Sequence, residues 1–253
     1  MIDPVAFRIF SLSIRWYALL IALALIISLF LMLKRARQVG IKEEFILDFF
    51  IWGIPSGIIG GRLYYVIFKL DYYLKYPIKI FAMREGGMAI HGVVIGGILA
   101  LLLLCKKREI SFLKMADLTA PALILGQAIG RWGNFINQEA YGGIVSKSYI
   151  SNFPEFIQKQ MYIRGNYHHP AFLYESLWNL FVFLFLIFIR NKSFLKKGDI
   201  LFMYLIGYSV GRFFIEGLRT DSLMLGSMRV AQLISIILIV FSSIVIYLRH
   251  RTQ

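Results

Sequence analysis

Arg131 stands in the run Gly126-Gln127-Ala128-Ile129-Gly130-Arg131-Trp132-Gly133-Asn134-Phe135-Ile136-Asn137-Gln138-Glu139-Ala140-Tyr141-Gly142, directly after an apolar stretch that begins at Pro121. An arginine at the centre of a membrane helix costs roughly 2.5 to 3.5 kcal/mol on insertion scales, so its presence there calls for a polar partner. On a helix Arg131, Asn134 and Gln138 fall at i, i+3 and i+7 and share one face, while glycines thin the other. Farther along, Tyr208, Arg212 and Glu216 are spaced i, i+4, i+8, with Arg219 three residues beyond, and again form one stripe. Arg62 adds a third cation among apolar residues. Facing lipid, the three arginines would together cost roughly 8 to 10 kcal/mol, so they face a polar interior or a wet cavity. Two readings of the cations stand side by side. Arg212 and Glu216 form a pair that neutralises two buried charges, or the arginines hold an anion. Arg131 has only Glu139 nearby in sequence, and Arg62 has no acid on its own stretch after Asp48. That excess favours an anionic ligand, and a guanidinium fork matches phosphate in geometry and charge.

His91, in Gly86-Gly87-Met88-Ala89-Ile90-His91-Gly92, lies in an apolar context where neutral imidazole can act as a base or bond a headgroup. The plainer reading is a satisfied interior polar group. His168 and His169, just ahead of Pro170, read as the entrance to a span. Four histidines without HExxH spacing and one cysteine, Cys105, give no metal or redox motif, and no metal or cofactor is expected. Cys105 reads as an inert buried thiol. Gly207-Tyr208-Ser209-Val210-Gly211 matches the G-x-S-x-G pattern of serine hydrolases, but that pattern needs a strand-to-helix elbow. Here it falls inside an apolar helix, and Ser209 is set aside as a nucleophile.

The elements that must position these groups are membrane helices. The chain is 58% hydrophobic and 17% charged, with a mean hydropathy of +0.69, more apolar than a soluble domain of this length can cover. Seven stretches reach spanning length: 17–33, 45–68, 88–105, 115–137, 170–189, 200–218 and 228–248. The net charge of +14 does not point to nucleic acid, because Lys and Arg gather in short blocks between apolar stretches. The blocks after the first, third, fifth and last spans place those loops in the cytoplasm by the positive-inside rule. The N-terminus is then expected outside and the C-terminus in the cytoplasm. The first span reads as an anchor rather than a cleavable signal, because its basic cluster follows the apolar run. The expected fold is an all-α integral membrane protein of about seven transmembrane helices, one polytopic domain over 1–253. Residues 138–169 form a small external head, and the tyrosine-rich connection 69–87 lies at the headgroup level. Glycines four apart (53, 57 and 61; 92 and 96; 126 and 130; 207 and 211) suit close helix packing. No internal repeat is evident, which counts mildly against many transporter classes.

The run Gly130 to Gly142 resembles the signature of the bacterial phosphatidylglycerol:prolipoprotein diacylglyceryl transferases. Gly86 to Gly92 is similar to that family's GG-M-x-x-H-G segment, His169-Pro170-Ala171-Phe172-Leu173-Tyr174-Glu175 to its H-P-x-x-L-Y-E segment, and Gly211 to Arg219 to its R-F-x-x-E-x-x-R element. Ile14 to Tyr17 and Gly61 to Tyr65 resemble its N-terminal and second-span motifs, in the same order along the whole chain. The resemblance implies transfer of the diacylglyceryl group of phosphatidylglycerol to the lipobox cysteine thiol of a prolipoprotein signal peptide, at the outer face of the bacterial cytoplasmic membrane, with no cofactor. It implies catalytic roles for Arg131, Arg212 and His91. Substrate contacts are expected from Arg131, Asn134, Tyr208 and Glu216, with Tyr17, Glu139, Gly142, Arg62 and His169 as further candidates. An anion transporter or channel is the alternative reading of buried arginines, and a purely structural scaffold a third.

Overall fold

A computed structural model describes residues 2–10, 12–83, 86–220 and 222–251. After a hairpin of β1 (Val5–Ile9) and β2 (Leu12–Arg15), the helices run α1 (Trp16–Gln38), α2 (Glu43–Phe68), α3 (Leu70–Lys75), a 3-10 turn Pro77–Phe81, α4 (Ile90–Lys107) and α5 (Phe112–Asn137). Next come β3 (Ile144–Val145), α6 (Lys147–Ile150), α7 (Glu155–Gln160), β4 (Tyr162–Ile163) and β5 (Asn166–His168). The chain closes with α8 (Ala171–Ile189), α9 (Asp199–Glu216), β6 (Met224–Leu225), β7 (Met228–Arg229) and α10 (Val230–Arg251). The protein is an all-α integral membrane protein with small β additions. Among the described residues six helices, α1, α2, α4, α5, α8 and α10, are long and apolar enough to cross a membrane. The seventh expected span is α9, an 18-residue helix set apart by three charged residues, Asp199, Arg212 and Glu216.

The chain packs as two compact units, one of residues 32–115 and one formed by the residues up to Leu31 together with those from Ala116 onward. In the first unit α2 and α4 cross in intimate contact. A Cβ on Gly60 would strike the Gly92 carbonyl, one on Gly92 the Gly60 carbonyl, and one on Gly96 the Ser56 carbonyl. The backbones therefore meet directly, as small-residue faces allow in lipid. The expectation of tight glycine packing holds for 57, 61, 92 and 96, and in the other unit for 207 and 211, which meet Val182 and Trp178 of α8. It does not extend to Gly53, which meets only Phe49 of its own helix, or to Gly130, which has no such neighbour.

In the second unit α5, α8 and α9 share a core of Ala120, Ile124, Val182, Leu186, Ile200 and Tyr204. Two indoles lock their register. Trp132 Nε1 donates to Ser176 Oγ at 3.2 Å, and that hydroxyl donates to the Ala128 carbonyl at 2.9 Å, tying α5 to α8. Trp178 Nε1 donates to the Gly207 carbonyl at 2.8 Å, tying α8 to α9. At the start of α9, Asp117 accepts from Gly198 N and Leu201 N, satisfying helix-end donors that have no partner within the helix. The 138–169 segment folds as a three-stranded sheet of order β3-β5-β4 with α6 and α7. Its apolar residues Ile150, Ile157, Met161 and Ile163 pack on Phe135 of α5 and Phe172 of α8, so this head sits on the ends of the helices that carry Arg131 and Glu175.

Candidate functional site: an arginine and carboxylate cluster

The lock between Trp132 and Ser176 sets their sequence neighbours side by side. Arg131 Nη2 lies 2.7 Å from Glu175 Oε1. The lock between Trp178 and Gly207 brings α9 to the same place, with Arg212 Nη1 at 3.6 Å from that same oxygen and Arg212 Nη2 at 2.7 Å from Glu216 Oε2. Arg219 Nε reaches Glu216 Oε2 at 3.9 Å. Among the described residues, three guanidiniums thus surround two carboxylates. The carboxylates are inside: the side chains of Glu175 and Glu216 are 4% and 3% exposed, whereas those of Arg131 and Arg212 are 21% and 18% exposed. The cations are the reachable partners.

These contacts are charge pairs without hydrogen-bond direction, since among the described residues Glu175 Oε1, Glu216 Oε2 and Arg212 Nη1 find no hydrogen-bond partner. The 3.6 Å between Arg212 Nη1 and Glu175 is too long for one. Leaving such a guanidinium nitrogen without an acceptor carries a desolvation cost. Asn134 Oδ1 accepts from Arg131 Nη1 at 3.2 Å and fixes the other edge of that fork. Tyr208 lies within electrostatic range of Arg212, Glu175, Arg131 and Glu216 and stacks on Tyr204. Tyr17 reaches α5 at Gly133, where any Cβ would collide with its ring. The Glu216 carbonyl accepts from Arg229 Nη1, closing the end of α9.

Gly142 stitches three helix ends together. Its N–H donates to the His169 carbonyl at 3.0 Å, it is bridged to Arg219, and the Gly143 N–H donates to the Leu218 carbonyl at 2.9 Å. A Cβ at Gly142 would meet His169 Cβ at 2.6 Å and the Leu218 carbonyl at 3.0 Å, so only glycine fits. His169 Nδ1 lies 3.3 Å from the Tyr174 hydroxyl, which is itself 2.8 Å from the Tyr149 hydroxyl. Burial pushes the His169 imidazole below its ordinary value, so the ring is neutral at pH 7.

Several expectations are placed differently. Gln138 does not share the Arg131 face, because α5 ends at Asn137 and Gln138 turns to φ 54°. Its amide instead donates to the Gln160 carbonyl in the head at 2.7 Å. Glu139 is exposed and takes the Asn137 amide at 3.3 Å, so the carboxylate beside Arg131 is Glu175, which sequence neighbourhood did not indicate. Arg62 and His91 belong to the other unit. Arg62 is buried and spends four of its five N–H groups on the carbonyls of Lys79, Ile80, Gly86 and Gly87, at 2.5 to 2.8 Å. His91 is exposed at the start of α4, its ring 5.8 Å from that of Tyr64. Ser209 is fully buried within α9, in keeping with its rejection as a nucleophile, and Cys105 is buried.

The helices and this cluster define an integral membrane protein that keeps reachable guanidiniums over buried carboxylates near the ends of α5, α8 and α9. The sequence model of the prolipoprotein diacylglyceryl transferase family matches residues 4–248. The chain is 53% identical over 244 residues to the phosphatidylglycerol--prolipoprotein diacylglyceryl transferase of Clostridium novyi, covering 96% of this chain and 95% of that one. It is 51% identical over 246 residues to that of Clostridium botulinum strain 657, covering 97% and 98%. Against that of Staphylococcus saprophyticus it is 45% identical over 252 residues, covering 98% and 90%. The chain belongs to the prolipoprotein diacylglyceryl transferase family.

Proposed function

We infer that this protein is a transferase that moves the diacylglyceryl group of phosphatidylglycerol to the lipobox cysteine thiol of a prolipoprotein. In the reaction a thiolate sulfur attacks the glycerol carbon that bears the phosphate ester. The carbon–sulfur bond of a thioether forms, the carbon–oxygen bond breaks, and glycerol 1-phosphate leaves with the bonding electrons. The phosphate gains a negative charge as it departs, so fixed cations placed beside it stabilise the transition state more than the ground state. The observation that carries this reading is the convergence of Arg131 and Arg212 on Glu175, with both arginine side chains more exposed than the carboxylate.

Arg131 and Arg212 are assigned to the phosphate. Asn134 and Glu216 aim them, and Glu175 holds them within reach of one another. Tyr208, Tyr17, Gly142 and His169 shape the surroundings of the headgroup, and Glu139 is an outer contact. Arg62 acts by holding the loop that leads through Gly86 and Gly87 to His91. His91 is the proposed acceptor of the thiol proton. Residues 138–169 form the external head, the basic loops face the cytoplasm, and the site opens toward the outer face of the bacterial cytoplasmic membrane. Incubating purified protein with phosphatidylglycerol and a lipobox peptide, then weighing the peptide by mass spectrometry, tests the function. A peptide heavier by one diacylglyceryl group, with glycerol 1-phosphate released, is expected, and an unmodified peptide overturns it.

A further inference from the structure

Within the unit of residues 32–115, the end of α2, α3 and the 3-10 turn enclose a cavity of about 360 Å³, lined by Arg62, Tyr65, Lys69, Tyr72, Tyr73 and Lys79 with the Gly86 and Gly87 backbone. That volume is in the range that accepts a small ligand. Arg62 forms its floor. The guanidinium holds four loop carbonyls and lies over the Tyr73 ring, 5.3 Å from its centroid, so the walls are fixed rather than collapsible. Gly87 passes so close that a Cβ there would meet Arg62 Nη1 at 2.6 Å and Tyr65 Cε1 at 2.9 Å. The lining carries the cationic side chains of Arg62, Lys69 and Lys79, and Asp71, on the same short helix, is not part of it.

The outside of this segment has the opposite character. Phe68, Leu70, Leu74, Ile78 and Phe81 are exposed by 50 to 80%, an apolar set too dense for a water-facing loop. Apolar side chains on one side of a short helical segment and lysines and tyrosines on the other are what a segment lying in the headgroup layer requires. A cationic, tyrosine-lined cavity held at that depth meets phosphates that are covalently attached to acyl chains.

We propose that this cavity is a docking site for the phosphate headgroup of an anionic phospholipid, with Lys69 and Lys79 as its contact cations and Tyr65 and Tyr72 as hydroxyl donors. It shares no residue with the Arg131 and Arg212 cluster and does not depend on the transfer reaction. A lipid held here anchors α3 and the 3-10 turn to the bilayer and so steadies the loop that Arg62 gathers.

Native mass spectrometry of the full chain in neutral detergent, with phosphatidylglycerol, phosphatidylcholine or glycerol 1-phosphate as probe, tests this. Lys69→Gln/Lys79→Gln should weaken one class of bound phosphatidylglycerol roughly 30-fold, at about fivefold per lysine. Lys75→Gln, on α3 but outside the lining, should leave it unchanged. Equal losses in the Lys75 and the double variant would reduce the effect to diffuse surface charge and overturn the site. So would undiminished binding in the double variant. Binding of glycerol 1-phosphate at these lysines as tight as that of the lipid would overturn a lipid occupant in favour of a free phosphate ester. The charge reversal Lys69→Glu should abolish the class altogether.

Discussion

Arg131 Nη2 and Glu175 Oε1 stand 2.7 Å apart, and that one oxygen is also 3.6 Å from Arg212 Nη1, so a single buried carboxylate spaces two cations carried by two different helices. Removing it leaves the guanidiniums facing each other. Breaking a buried pair by deleting one partner costs about 3 to 5 kcal/mol, and the partial exposure of both arginines moves the expectation to about 2 to 3. Glu175→Gln should therefore lower the thermal midpoint in detergent and also slow transfer, because the two forks lose their common aim. Glu175→Asp should recover more turnover than Gln does. Equal activity of Gln and wild type would restrict Glu175 to stability alone.

A thiol with an ordinary pKa of about 8.5 is only a few per cent thiolate at neutral pH, so a nearby proton acceptor raises the reactive fraction. If His91 is that acceptor, His91→Asn keeps phosphatidylglycerol binding, slows transfer at pH 7, and recovers part of the rate toward pH 9. A deficit that is constant from pH 6 to pH 9 and accompanied by weaker lipid binding removes His91 from the proton transfer.

His169 titrates with the opposite sign from a histidine that gains a carboxylate. Burial lowers its folded-state pKa beneath the unfolded value, so the unfolded chain takes up the proton first as pH falls. Stability should be level above about pH 7 and decline as pH drops through the ordinary histidine range near 6.5. His169→Gln should flatten that acid limb in melting curves between pH 7.5 and pH 5. An unchanged limb would place the acid sensitivity elsewhere.

The membrane helices are legible in the sequence because span length and apolar content are set by the bilayer, and the helices fall within a few residues of the expected stretches. The fold of α5 up to Asn137 follows from the same run. Its end at Asn137 matches the expected span, but the placing of Gln138 on the Arg131 face does not hold, because Gln138 and Ala140 leave the helix at φ 54° and 55°, where no glycine or proline gives warning. Glu175 was visible only as part of a motif, since its partners stand on helices distant in sequence and register between helices is decided by contacts such as Trp132 to Ser176. The acceptors of Arg62 are loop carbonyls, which every residue possesses, so no side-chain pattern announces them.

Sidedness rests on the basic blocks. A cysteine at Lys147 in the head should react with an impermeant reagent in intact cells, and one at Lys107, at the end of α4, should react only after permeabilisation. The reverse pattern would invert the topology.

The most direct measurement is diacylglyceryl transfer by Arg131→Gln and Arg212→Gln, each purified and shown to melt like the wild type. Losing a charge-assisted phosphate contact should remove about 2 to 4 kcal/mol of transition-state stabilisation, a roughly 30-fold to 1000-fold loss in rate. Arg→Lys at either position should rescue poorly, because an ammonium lacks the two-pronged geometry. Folded variants that transfer at near wild-type rates would contradict the assignment of these two arginines to the phosphate.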